Sequence, residues 1–136
     1  MLKVIFSGSS RYPVLRRRIK KAIEETLRQQ KIEGQIELGV TFVGDRKMKQ
    51  LNKKFMGKKE TTDVLSFPLR ETVKTLNDEA AEFVDYPDEL WRLGDVVVSY
   101  PQARRQAQQH NILVDEEIDF LVKHGVLHLL GIHHEE

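Results

Sequence analysis

The stretch "KHGVLHLLGIHHEE", residues 123–136, carries four of the five histidines in the chain. Three of them, His124, His128 and His134, fall at the spacing H-x-x-x-H-x-x-x-x-x-H. Residues 118–130, just before and within this stretch, are apolar on nearly every side, which predicts a buried helix. Four residues apart on a helix, His124 and His128 stack on one face with both rings able to converge on one point. Gly131 offers a low-strain helix end, after which the chain can turn back and bring His134 to the same point. A single histidine on such a helix is most often a core residue bonded to a backbone carbonyl. Two uncompensated imidazoles on one apolar face are costly, and a metal removes that cost.

Three neutral imidazoles suit zinc at about 2.0–2.1 Å and leave a fourth position open. The spacing H-x-x-x-H-x-x-G-x-x-H is that of the metzincin metalloproteases, which need Glu directly after the first His as general base. Here that place is Gly125, so peptide hydrolysis by that route is not expected. A glycine inside a helix costs roughly 1 kcal/mol relative to alanine. Its presence predicts close approach by a packed element or a substrate backbone. His133 is expected to point outward or to support the ligands. His110 has no partner pattern and reads as a surface helix residue.

The remainder of the chain supplies a sheet and its helices. "LKVIFSG" reads as a strand. "QIELGVTFVG" alternates Ile36, Leu38, Val40 and Phe42 against polar or small residues, as a half-buried strand does. "DVLSFPL" is a strand whose Pro68 places it at an edge, and "GDVVVS" is a fourth. Leu15, Ile19, Ala22, Ile23, Thr26 and Leu27 form one stripe of an amphipathic helix. Asp45 is positioned to cap a short helix with Met48, Leu51 and Phe55 inward. Ser99 and Gln102 form a possible capping box with Pro101 in the first turn. Asp115, Glu116 and Glu117 favour the positive end of the last helix. Residues 70–92, acidic and irregular, read as a long surface loop or flap.

Charge is distributed unevenly. Residues 1–60 hold 16 Lys and Arg against 6 Asp and Glu, whereas residues 61–136 hold 6 against 15. The net charge of +1 therefore hides a basic first half and an acidic second. Arg16, Arg17, Arg18, Lys20 and Lys21 form one group. Lys47, Lys49, Lys53, Lys54, Lys58 and Lys59 form another. Each alone is commonly a solvated helix face, but together they predict a polyanion-binding surface. With 136 residues and no cysteine, the chain is expected to be one domain, residues 1–136, without disulfides or thiolate metal sites. The N-terminus has no signal-peptide pattern and no apolar run reaches the ~20 residues of a membrane span, which predicts a cytoplasmic protein.

Taken together, these motifs bear a family resemblance. "HGVLHLLGIHH" resembles the H-G-x-L-H-L-x-G-Y-D-H signature of the YbeY-type rRNA maturation endoribonucleases. "GKKETTDVLSFPL" is similar to that family's T-[ND]-V-L-S-F-P strand, and "LGDVVVS" to its L-G-D-I-x-I-S strand. The resemblance implies an α+β, zincin-like domain with a four-stranded mixed sheet and a metal site on the C-terminal helix. It implies one zinc per chain, held by His124, His128 and His134, and hydrolysis of single-stranded RNA. Maturation of the 16S rRNA 3′ end, ribosome quality control, and association with the small ribosomal subunit and its proteins are also implied. The family's Tyr-Asp before the last His is Ile132-His133 here. Its arginine before Gly-Lys is Met56, so Lys58, Lys59 or Lys54 would take over its task. Asp95 and His133 are candidates to orient the ligands. Thr62 and Ser66 are candidates to touch substrate, and Arg16, Arg17, Arg18, Lys53 and Lys54 to bind RNA. Two rivals are a non-catalytic RNA-binding module with structural zinc and a metal-dependent hydrolase acting on another substrate.

Overall fold

The alternation read in residues 35–44 becomes strand β2 (Gln35–Val43), with Ile36, Leu38, Val40 and Phe42 all buried. The structure, a computed structural model, describes residues 1–8, 10–69 and 90–132. β2 lies parallel to β1 (Leu2–Ser7) on one side and to β4 (Leu90–Ser99) on the other. β3 (Val64–Pro68) runs antiparallel to β4 and closes the order β1-β2-β4-β3. The expected four-stranded mixed sheet of an α+β fold is therefore present. Pro68 sits on the edge strand, where its missing N–H interrupts no inner ladder.

One end of the acidic stretch differs from expectation. Leu90, Trp91 and Arg92 belong to β4 and pair with Gln35, Ile36 and Glu37, so β4 begins earlier than its "GDVVVS" core. Residues 70–89, the remainder of the expected loop, lie outside the described residues.

Three helices share one face of the sheet. α1 (Arg16–Gln29) buries Ile19, Ala22, Ile23, Thr26 and Leu27. Leu15, expected on the same stripe, is 53% exposed because it caps the helix in extended conformation instead of forming its first turn. α3 (Tyr100–His110) starts at Ser99, whose Oγ accepts the Gln102 N–H at 3.2 Å. The box is only half made, since the Gln102 side chain bonds Gln106 and Arg105. α4 (Val114–Leu129) completes the layer. Its Ile118, Val122 and Val126 join Ile19 and Ile23 of α1 over Val40, Val96 and Val98. Each such fully buried aliphatic side chain stabilises the fold by about 1.5–3 kcal/mol.

The fourth helix, α2 (Asp45–Leu51), lies on the opposite face, where Met48 packs on Leu65 and Val97. Gly44 occupies the capping position, and Asp45 is the first helical residue. The Asp45 carboxylate accepts from Arg105 of α3 at 2.8 and 3.1 Å, which removes it from the expected capping role. The helix continues as a π-helical turn over Asn52–Met56. The wider π turn rotates later residues off the Met48 stripe. Phe55 is accordingly 53% exposed instead of inward, with its ring edge-on to Phe67. Among the described residues no helix is long and apolar enough to cross a membrane.

Candidate functional site

α4 is buried on one side only. Ile118, Leu121, Val122, Gly125, Val126 and Leu129 face the sheet and its neighbours. Phe120 is 59% exposed, and His124 and His128 are half-buried. This corrects the expectation of a helix enclosed on nearly every side and lessens the desolvation cost of its imidazoles. The two rings lie together as predicted, with centroids 4.8 Å apart and planes at 61°.

Gly125, between them, explains itself by packing. A Cβ there would meet Val96 Cγ1 at 2.6 Å and Ser66 Oγ at 3.3 Å. The Ser66 hydroxyl donates to the Gly125 carbonyl at 3.0 Å. The close approach is thus made by strands β3 and β4. The glutamate of a metzincin cannot be accommodated at this position without displacing Val96.

The helix ends as its sequence predicts. Gly131 takes φ +81°, its N–H donates to His128 O at 2.9 Å, and the Ile132 N–H donates to Leu127 O at 2.9 Å. This pair of bonds is a Schellman motif, which ends the helix within one turn of His128. His133 and His134 lie outside the described residues. Among the described residues no three His, Cys, Asp or Glu side chains gather as a metal site. Two adjacent imidazoles on a partly exposed face, in a chain without thiols, are a donor set suited to zinc.

Asp95 is not brought to the histidines. Its neighbours Gly94 and Val96 pair with Leu38 and Val40 on the helix-bearing face, so strand alternation turns Asp95 to the other face over Gly39. Asp95 is therefore not placed to orient His124 or His128. Ser66 is on the α4 face and is engaged with Gly125. Thr62 Oγ1 lies 3.5 Å from Asp63 Oδ1.

Lys58 and Lys59 are exposed on the segment joining the π-helical turn to β3. Buried Asn52 holds that segment: its Nδ2 donates to Glu60 O at 2.8 Å and its carbonyl accepts the Lys58 N–H at 3.3 Å. Gly57, at φ +71°, makes the turn between Met56 and Lys58. Lys53 and Lys54 are exposed on the π turn, and Lys54 Nζ lies 5.2 Å from the Phe55 ring centre.

The basic groups do not form one surface. The α1 group lies on the helix-bearing side of the sheet, and the lysines following α2 lie on the other. Arg18 is bridged to Asp119 of α4 at 2.7 Å, and the hydrogen bond and charge of Asp119 hold its guanidinium above the ordinary range. Arg16 lies over the Phe6 ring at 5.6 Å.

Sequence reasoning missed a polar contact between α3 and α4. Glu117, one of the three acids in the first turn of α4, is 1% exposed. It accepts from Gln106 Nε2 at 2.9 Å and faces His110 Nδ1 at 3.0 Å. His110 is therefore a partnered residue. The only signal was seven-residue separation across a helix–helix turn.

The sequence profile of the family described as Endoribonuclease YbeY matches residues 9–136. This chain belongs to that family. A relative named Endoribonuclease YbeY from Dehalococcoides mccartyi is 44% identical over 118 residues, covering 87% of this chain and 69% of the relative. One of the same name from Caldanaerobacter subterraneus is 35% identical over 117 residues, covering 86% and 73%. The solution structure of TM1509 from Thermotoga maritima aligns with a TM-score of 0.57 at 27% identity, covering 99% of this chain and 75% of that one. Within the YbeY frame, the histidine pair, the Ser66–Gly125 contact and the Lys58–Lys59 segment fall on two of the three motifs that carried the resemblance.

Proposed function

We propose that this chain is a zinc-dependent endoribonuclease specific for single strands, acting in 16S rRNA 3′-end maturation and ribosome quality control in the cytoplasm. The observation that carries the reading is the His124–His128 ring pair on the open side of α4, followed by the Schellman helix end at Gly131. His124, His128 and His134 would hold one zinc, with His133 beside them. Zinc held there would supply Lewis acidity and could lower the pKa of water toward about 7. Buried contacts at Gly125 fix the helix register, so the two imidazoles are presented without rotational slack. Lys58 and Lys59, on a segment anchored by Asn52, are the cations suited to neutralise a phosphate in place of the arginine that Met56 replaces. With glycine at 125, no general base comes from that position.

The test compares wild type and His128→Ala, purified identically without a histidine tag, on a labelled fragment spanning the small-subunit rRNA 3′ end. Zinc-dependent cutting by wild type alone is expected. Equal cutting by both identifies a contaminating nuclease. Binding without cutting by either supports the second reading, a ribosome- or RNA-binding module with structural zinc, which Met56 favours.

A further inference from the structure

Phe120 stands on the same exposed stripe as the two histidines. Its ring lies 5.8 Å from that of His124 at 34°, one helical turn before it. An isolated exposed aromatic residue needs no explanation, so exposure alone carries nothing. Its surroundings do. Going round α4 at about 100° per residue, His124 lies on one side of Phe120 and Lys123 and Asp119 on the other. Those two residues form the α4 wall of a furrow whose α1 wall carries Arg18, Lys21, Glu25 and Arg28. Four cations and two carboxylates line it, a net positive path for phosphates. Three nearby acids are engaged, Asp119 by Arg18, Glu25 by Lys123 at 3.5 Å, and Glu116 by the Leu113 N–H at 2.9 Å, while Asp115 acts on Arg18 through its charge. Phe120 therefore forms an apolar step between a basic furrow and the histidine pair.

We propose that Phe120 is a base-stacking platform for single-stranded RNA, seating one unpaired base while the furrow between α1 and α4 carries the adjoining phosphates. The proposal rests on the endoribonuclease reading and deepens it by giving a source for strand preference. A lone ring on a helix can stack only on a base that has left its duplex partner. Duplex RNA keeps its bases in the helix and would meet Phe120 with its backbone.

The experiment measures binding of a labelled single-stranded RNA oligonucleotide to wild type, Phe120→Ala and Phe120→Trp, with RNA integrity checked after each titration. Loss of one stacked base costs roughly 1–3 kcal/mol, so Phe120→Ala should weaken affinity about five- to hundredfold. Phe120→Trp should keep it. The slope of log affinity against log salt should be unchanged by either substitution, because neither removes a phosphate contact. An oligonucleotide of the same length with abasic positions should bind wild type more weakly and show little further loss with Phe120→Ala. Unchanged affinity in Phe120→Ala, or an equal loss on normal and abasic RNA, overturns the platform while leaving the endoribonuclease reading standing. Absence of RNA binding by wild type overturns that reading and the platform with it.

Discussion

Ser66 of the edge strand β3 donates its hydroxyl to the backbone carbonyl of Gly125 in the middle of α4, at 3.0 Å. A carbonyl already used by the helix thus accepts a second bond, possible because glycine lets β3 and β4 approach within contact distance. Histidines 124 and 128 flank that contact, so the register of the candidate site is set by a glycine lacking the one methyl group that would disturb it.

Gly125→Ala tests this directly. Alanine should gain roughly 1 kcal/mol in helix propensity, but its Cβ would meet Val96 Cγ1 at 2.6 Å, and overpacking costs about 1–3 kcal/mol. Net destabilisation of about 1 kcal/mol is expected in urea unfolding. Combined with Val96→Ala, which empties the space, the two losses should be less than additive. Additive losses would mean that Val96 does not bar a side chain at 125.

The Asp45–Arg105 pair predicts a pH effect of known sign. The hydrogen bonds from Arg105 lower the Asp45 pKa, against an opposing effect of burial. A lowered carboxylate pKa contributes stability above the ordinary carboxylate range, and this is lost as pH falls through the folded value. Both side chains are well exposed, at 47% and 39%, so solvent screening limits the contribution to about 0.5 kcal/mol. Arg105→Met should therefore lower stability by about that amount at pH 7 and by nothing once Asp45 is protonated. A pH-independent deficit would assign the loss to the Arg105 stem.

The four strands, α1 and the end of α4 were legible because each rests on local pattern: alternation on β2, an apolar stripe on α1, glycine after the last helical turn. The face taken by Asp95 was not legible because it depends on which side of the sheet the helices cover. Phe55 was misplaced because nothing in "LNKKFM" announces a π turn. The burial of Glu117 was not legible because its partners, Gln106 and His110, come from another helix. The two basic groups share the first half of the sequence, yet the sheet separates them.

Glu117 gives a third prediction. It is an almost wholly buried carboxylate served by Gln106 and His110. Gln106→Ala would leave it short of a donor, at a cost of about 1–3 kcal/mol, although Gln106 itself is only half-buried. Glu117→Leu, which removes the charge and fills the space, should be less harmful than Gln106→Ala in thermal unfolding. The reverse order would show that the carboxylate is stabilising in its own right.

The histidines give the last. If His124, His128 and His134 hold zinc, protein purified without a histidine tag should contain about one zinc per chain, and a His124→Ala, His128→Ala double variant should contain almost none. Because a ligand bound to the native state alone stabilises it by RT ln(1 + [L]/Kd), wild type should melt higher with zinc than with a chelator. The double variant should show no such difference. Its fold should otherwise persist, since both rings lie on the half-exposed side of α4 while Ile118, Val122, Val126 and Leu129 hold the helix to the core. Met56→Arg adds an independent handle on the same site. Met56 is 46% exposed at the end of the π turn, so arginine can be placed there without burying charge. Restoring the family's residue should raise the rate of RNA cleavage without changing zinc content. An unchanged rate would assign phosphate neutralisation to Lys58 and Lys59, whose replacement by glutamine should then lower it.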